Sequence, residues 1–198
     1  LFQNNQVLGT WDFVDQEESV FEDNYHGMSV LSTMASDLDN QFIGMSPRAN
    51  YWMLRTENSV SENLIEEFYW TVAAEFCDSV GVDIINSSLG YTTFDLGYQD
   101  HSYEDLDGFT TPISKAATFA ARKGMIVCNS AGNSGNSSWY YISAPADADS
   151  IVTVGSVNQN REVSSFTSRG PSADGRLKPT VSAQGGNTTV YNPNNTIN

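Results

Sequence analysis

Basic residues are scarce. Nine Lys and Arg stand against 24 Asp and Glu in 198 residues, a formal net charge of −15. A surface of this sign repels phosphate, which argues against a nucleic-acid partner or an anionic membrane surface. The two cysteines cannot build a disulfide framework, and no Cys/His spacing reads as a zinc site, so neither a metal nor another cofactor is implied. No apolar run approaches the ~20 residues that a membrane-spanning helix needs. With 39% hydrophobic residues and 15 Gly, the composition is not that of a disordered, collagen-like or coiled-coil chain. What these absences leave is a globular chain with one sizeable core, or at most two small ones. The first residues, Leu1-Phe2-Gln3, and the polar run over 191–198 give the expectation of a piece cut from a longer polypeptide.

The patterning alternates strands and helices. Strands are predicted over residues 7–14, 50–54, 82–86, 125–129 and 151–157, the third as a short run buried on both faces. Helices are predicted over 26–35, with Asn24 as N-cap and Met28, Leu31, Met34 and Ala35 on one face, and over 114–123. A further helix opens at Ser61 with Glu62, and carries Leu64, Ile65, Phe68, Val72 and Phe76 at helical spacing. This βαβ rhythm argues for an α/β fold, a mostly parallel sheet with helices packed on it. No boundary divides the chain, so residues 1–198 read as one domain. The stretch 92–111 is a long loop rich in Asp and Glu, read as a solvated surface rather than a calcium site. Cys77 and Cys128 read as free cysteines, and the sequence does not decide whether they are bridged.

Three segments could carry chemistry. His26-Gly27-Met28 puts an imidazole in the first turn of a helix, where the macrodipole disfavours imidazolium and favours the neutral ring that a general base requires. Such a histidine is also a common surface residue without a role. The run 83–90 ends in Ser87-Ser88-Leu89-Gly90, at the carboxyl end of a parallel strand, where open α/β sheets form their ligand crevice. An extended backbone there can pair with a peptide, or can simply leave the sheet. Ser130-Ala131-Gly132-Asn133-Ser134-Gly135 follows another strand. Its small residues let a carbonyl approach, and the Asn133 amide can donate to a developing oxyanion. An Asn/Gly turn would look the same. Trp139, Tyr140 and Tyr141 follow, as cleft lining or as packing.

In combination these segments are more specific. HGMSVLSTMAS, GMSPRANYWMLR, VDIINSSLGY, GMIVCNSAGNSG and SIVTVGSVNQNREVSSFTSRGPSADGRLKP, in that order, resemble the subtilisin-like serine proteases over roughly residues 7–186. The resemblance implies a three-layer α/β fold with helices on both faces of a mostly parallel sheet. It also implies peptide-bond hydrolysis by a Ser-His-Asp triad. His26 matches the triad histidine and Asn133 the oxyanion-hole asparagine. Ser88, Leu89 and Gly90 match the backbone that pairs with substrate and walls the primary specificity pocket; Ala131 and Gly132 match the opposite wall. Residues 165–170 match an element at the sheet edge.

The departures are specific too. Nothing before His26 fits the family's triad Asp: Asp12 and Asp15 follow what matches the family's second strand, and Asp23 is too close to His26. No Gly-Thr-Ser motif follows Gly186. The fold is therefore expected to be incomplete, without the Asp strand and the Ser helix. The expectation is an inactive piece of a secreted or cell-envelope bacterial endopeptidase acting on polypeptides, itself prone to self-association through uncovered apolar surface. His26 and Asn133 are expected to serve one cleft. The alternatives are a pseudoprotease or peptide-binding module on the same fold and, more remotely, a nucleotide-binding α/β domain, for which no phosphate-binding Gly-rich loop is present.

Overall fold

The computed structural model describes residues 5–191, and the terminal runs lie outside the described residues. The chain forms two compact units, one from Leu1–Ser59 with Thr188–Asn198 and the other from Val60–Asn187.

In the first unit, β1 (Val7–Asp12) pairs in parallel with β4 (Tyr51–Arg55), Trp11 opposite Leu54 and Asp12 opposite Arg55. Between them run α1 (His26–Ala35) and a small antiparallel pair, β2 (Asp37–Leu38) and β3 (Phe42–Ile43). The helix α1 spans the predicted residues. Its first turn opens on Tyr25, but the Asn24 carboxamide still does the capping by accepting from the His26 N–H at 2.9 Å. Its buried residues are Ser32 and Ala35, whereas Met28, placed by its spacing on the same face as Ala35, is exposed. The strand β1 stops at Asp12, whose Oδ1 accepts from the Val14 and Asp15 N–H groups and turns the chain.

In the second unit, β5 (Ile84–Ser87), β6 (Ile126–Ser130), β7 (Val152–Val157) and β8 (Val181–Gln184) form one parallel sheet in that order. The last of these was not anticipated from the sequence. The helices α2 (Ile65–Val80) and α3 (Pro112–Arg122) pack on each other, and α3 lies against β6. Trp70, Ala73, Ala74 and Cys77 of α2, Ile113, Ala117 and Ala120 of α3, and Val127 of β6 form the core. The Thr111 hydroxyl caps α3 by accepting from the Ser114 N–H at 3.2 Å.

Two expectations fail here. The predicted apolar face of α2, Ile65, Phe68 and Val72, is exposed, and the helix turns Glu66 and Glu67 inward instead. The strand β5 is not buried on both faces: Ile84 is 57% exposed and its register partner Ile126 is 52% exposed. Among the described residues, helices cover only one face of this sheet. The other face presents Ile84 and Ile126 beside the part-exposed Cys128, Val152 and Val154, neighbours in the parallel register. The strand β4 pairs only with β1, and β5 only with β6, among the described residues. None of the described helices is long and apolar enough to cross a membrane.

The loop over 92–111 is held rather than merely solvated. Asp95 accepts from the Glu62 N–H, Asp100 from Phe94, Asp105 from Ser102, and Asp107 from Phe109 and Thr110. Each of these carboxylates is engaged with backbone, and Leu106 pins the loop from the core. Both cysteines are free. Burial pushes the Cys77 thiol up to about 11, so it is an inert core residue at neutral pH.

Candidate active site

His26 lies in the first unit, and Ser88, Leu89, Gly90, Ala131, Gly132 and Asn133 lie in the second. The His26 ring is exposed, and no described residue hydrogen-bonds to it. The three aspartates that precede it, Asp12, Asp15 and Asp23, are committed elsewhere. Arg55 binds Asp12 at 2.5 Å, Asp15 at 2.7 Å and Asp23 at 2.9 Å. The hydroxyl of Ser59 also donates to Asp23; this bond, with a smaller part from Arg55, holds that carboxyl below the usual range in spite of partial burial. Three carboxylates thus gather around one guanidinium.

In the second unit, the parallel register sets Ser87 opposite Asn129, so the two following segments leave adjacent strands at the same carboxyl-terminal edge. Ser88-Leu89-Gly90 forms one segment and Ala131-Gly132-Asn133 the other. Ala131 is buried and still donates to the Val154 carbonyl at 2.9 Å, so this segment begins as an extension of β6. Ser143 lies beneath both. A Cβ on Gly90 would overlap the Ser143 hydroxyl, and one on Gly132 would come within 2.9 Å of the hydroxyls of both Ser143 and Ser168. Gly132 has φ +102°, a conformation that side-chain-bearing residues rarely adopt. Glycine is thus required there twice, by backbone and by space.

The surrounding bonds fix these segments. Tyr91 and Ala144 exchange backbone hydrogen bonds of 2.8 and 3.1 Å, which anchors the first segment to the residue after Ser143. The Gly132 carbonyl accepts from the Ser168 N–H at 2.9 Å, the Ser168 hydroxyl accepts from the Ser134 N–H at 2.9 Å, and Gly135 donates to Phe166 at 2.8 Å. Residues 165–170 therefore brace the second segment from outside. Asn133 is exposed, and its carboxamide makes no hydrogen bond among the described residues. A fixed turn thus presents an exposed amide donor that makes no hydrogen bond among the described residues, a geometry suited to receiving a carbonyl.

Of the three aromatics expected near this edge, Trp139 donates to the Ile142 carbonyl at 2.9 Å, and Tyr141 lies 4.2 Å from the Tyr103 ring. Both brace the chain, which favours packing. Sequence reasoning missed Ser143 and Ser168, hydroxyls in loops without periodicity. It also missed Asn129, whose polar side chain at the end of an otherwise apolar strand was the available signal.

Comparison with known proteins identifies the family and the fold. The Subtilase family model matches residues 3–198. The serine protease AprX of Bacillus subtilis (strain 168) is 31% identical over 97% of this chain and 45% of its own length. Subtilisin DY of Bacillus licheniformis is 30% identical over 83% of this chain and 55% of its own. Thermitase of Thermoactinomyces vulgaris is 30% identical over 85% and 54%. The chain thus spans about half the length of the curated relatives it matches. Among solved structures, the self-cleaved protease domain of PatA superposes with a TM-score of 0.70 at 17% identity, covering 99% of this chain and 65% of that one. The prenylagaramide maturation protease PagA gives 0.65 at 20% identity, covering 87% and 56%. The fold is the subtilisin-like α/β fold, and the chain belongs to the subtilase family.

Proposed function

We propose that this chain is part of a serine endopeptidase in which its two units make up a single catalytic domain. Asn133 donates to the oxyanion of the tetrahedral intermediate. Ser88, Leu89 and Gly90 form one wall of the substrate site, and Ala131 and Gly132 the other. His26 is the general base that takes the proton of a serine hydroxyl, poorly nucleophilic until that proton is removed. The serine and the carboxylate that orients the imidazole come from elsewhere in the complete polypeptide, and residues 1–198 alone do not hydrolyse peptides. The observation that carries the reading is the free, exposed Asn133 carboxamide on the turn that Gly132 sets. The net charge of −15 and the bacterial relatives support an extracytoplasmic location.

The test is hydrolysis of a fluorogenic peptide, with a serine-directed phosphonate as control. The complete polypeptide hydrolyses it, and Asn133→Leu lowers kcat by about 100- to 1000-fold, the cost of one oxyanion donor. The 198-residue chain gives no turnover. Phosphonate-sensitive turnover by that chain overturns its inactivity, and an Asn133→Leu enzyme of unchanged kcat overturns the oxyanion role.

A further inference from the structure

Asn129 is almost wholly buried at the last turn of β6, on the sheet face covered by α2 and α3. Its Nδ2 donates to the Ser130 carbonyl at 2.8 Å and to the Leu89 carbonyl at 3.2 Å. The second bond crosses from one candidate substrate wall to the other. The Oδ1 of the same amide is buried and has no hydrogen-bond partner among the described residues. A buried acceptor left unsatisfied is a cost that an aliphatic side chain of similar size would not carry. Against that cost stand the two backbone carbonyls that the amide satisfies, so what sets it apart from an aliphatic side chain is what its N–H groups hold.

A trans peptide is planar, with its C=O and N–H on opposite sides. Gripping the Leu89 carbonyl from beneath turns the Gly90 N–H away from the sheet. Gly90 is exposed, and its N–H makes no hydrogen bond among the described residues. We infer that Asn129 is a positioning residue for extended substrates: it locks the Leu89–Gly90 peptide so that the Gly90 N–H stands ready to donate to a substrate backbone carbonyl. This role rests on the protease reading above. It selects for polypeptides long enough to lie along Leu89 and Gly90, and it leaves the bond-breaking centre untouched.

The test uses the complete polypeptide with two chromogenic amides, one carrying a single residue before the scissile bond and one carrying four. Asn129→Leu removes the donors at nearly constant volume, and Asn129→Asp keeps the shape without an N–H. Both variants raise KM for the four-residue substrate and lower its kcat/KM about tenfold, the loss of one hydrogen bond. The single-residue substrate stays within about twofold, so the loss is confined to the long substrate even where the two released carbonyls lower the Asn129→Leu melting temperature. An equal loss on both substrates with a lower melting temperature, or full activity of Asn129→Asp on the long substrate, overturns the positioning role alone. An unsubstituted polypeptide that hydrolyses neither substrate overturns the protease reading and this role with it.

Discussion

Glu67 is wholly buried on α2, and its Oε1 lies 2.5 Å from the Nε2 of His101, a residue of the long acidic loop. The other carboxylate oxygen accepts from the Ile113 N–H at 3.1 Å, in the first turn of α3. One side chain thus ties a loop and two helices together.

That tie makes stability depend on pH, and the sign can be worked out. Burial of the His101 ring opposes its protonation, but the hydrogen bond and charge of Glu67, with Asp105 and Asp147, outweigh this and raise its pKa above the ordinary 6.5. The folded protein therefore binds this proton more tightly than the unfolded chain does. The stabilisation is complete below 6.5 and is lost as the pH rises through the raised folded value. Melting temperature measured between about pH 5.5 and 8.5 should fall across that interval through this residue, and His101→Gln should flatten the decline. A variant with the same slope as the unsubstituted chain would show that another group titrates.

Gly132→Ala places a methyl group at φ +102° and within 2.9 Å of two hydroxyls. The expected loss is about 1–3 kcal/mol from the backbone, with further cost for displacing Ser143 and Ser168. Urea titration of the chain measures it. A midpoint unchanged within error would mean that the turn relaxes without strain.

The uncovered sheet face gives a third expectation. Ile84 and Ile126 stand side by side in register on a face that no described helix covers. Large contiguous apolar patches are rare on monomers and favour association. In sedimentation velocity the chain should show concentration-dependent self-association, and in fluorescence it should bind an apolar dye. Ile84→Lys with Ile126→Lys should reduce both. A monomeric, dye-silent chain would refute the idea.

The legible part of the molecule was local. The helix α1 emerged at its observed ends from His26 to Ala35, and β1, β4, β5, β6 and β7 from their apolar runs, each displaced by a residue or two, whereas the short β2, β3 and β8 did not. The site segments were readable because Gly132 and Asn133 have a turn chemistry that few other residues can supply. What was hidden depends on distant partners. Periodicity marked two faces on α2 but could not say which faces inward, because that depends on His101, 34 positions away, and on Ile113, 46 positions away. Without those partners a buried Glu67 would be an uncompensated charge, so the apolar stripe seemed the only face fit for burial. Ser143 and Asn129 were hidden in the same way: each gains its meaning from a segment dozens of residues distant.

Ser143 has a consequence of its own. A single hydroxymethyl group abuts both Gly90 and Gly132, so one side chain is the shared spacer under the two segments. Enlarging position 143 by even one methylene would press on both at once, whereas trimming it to glycine would release both without altering either segment's own sequence.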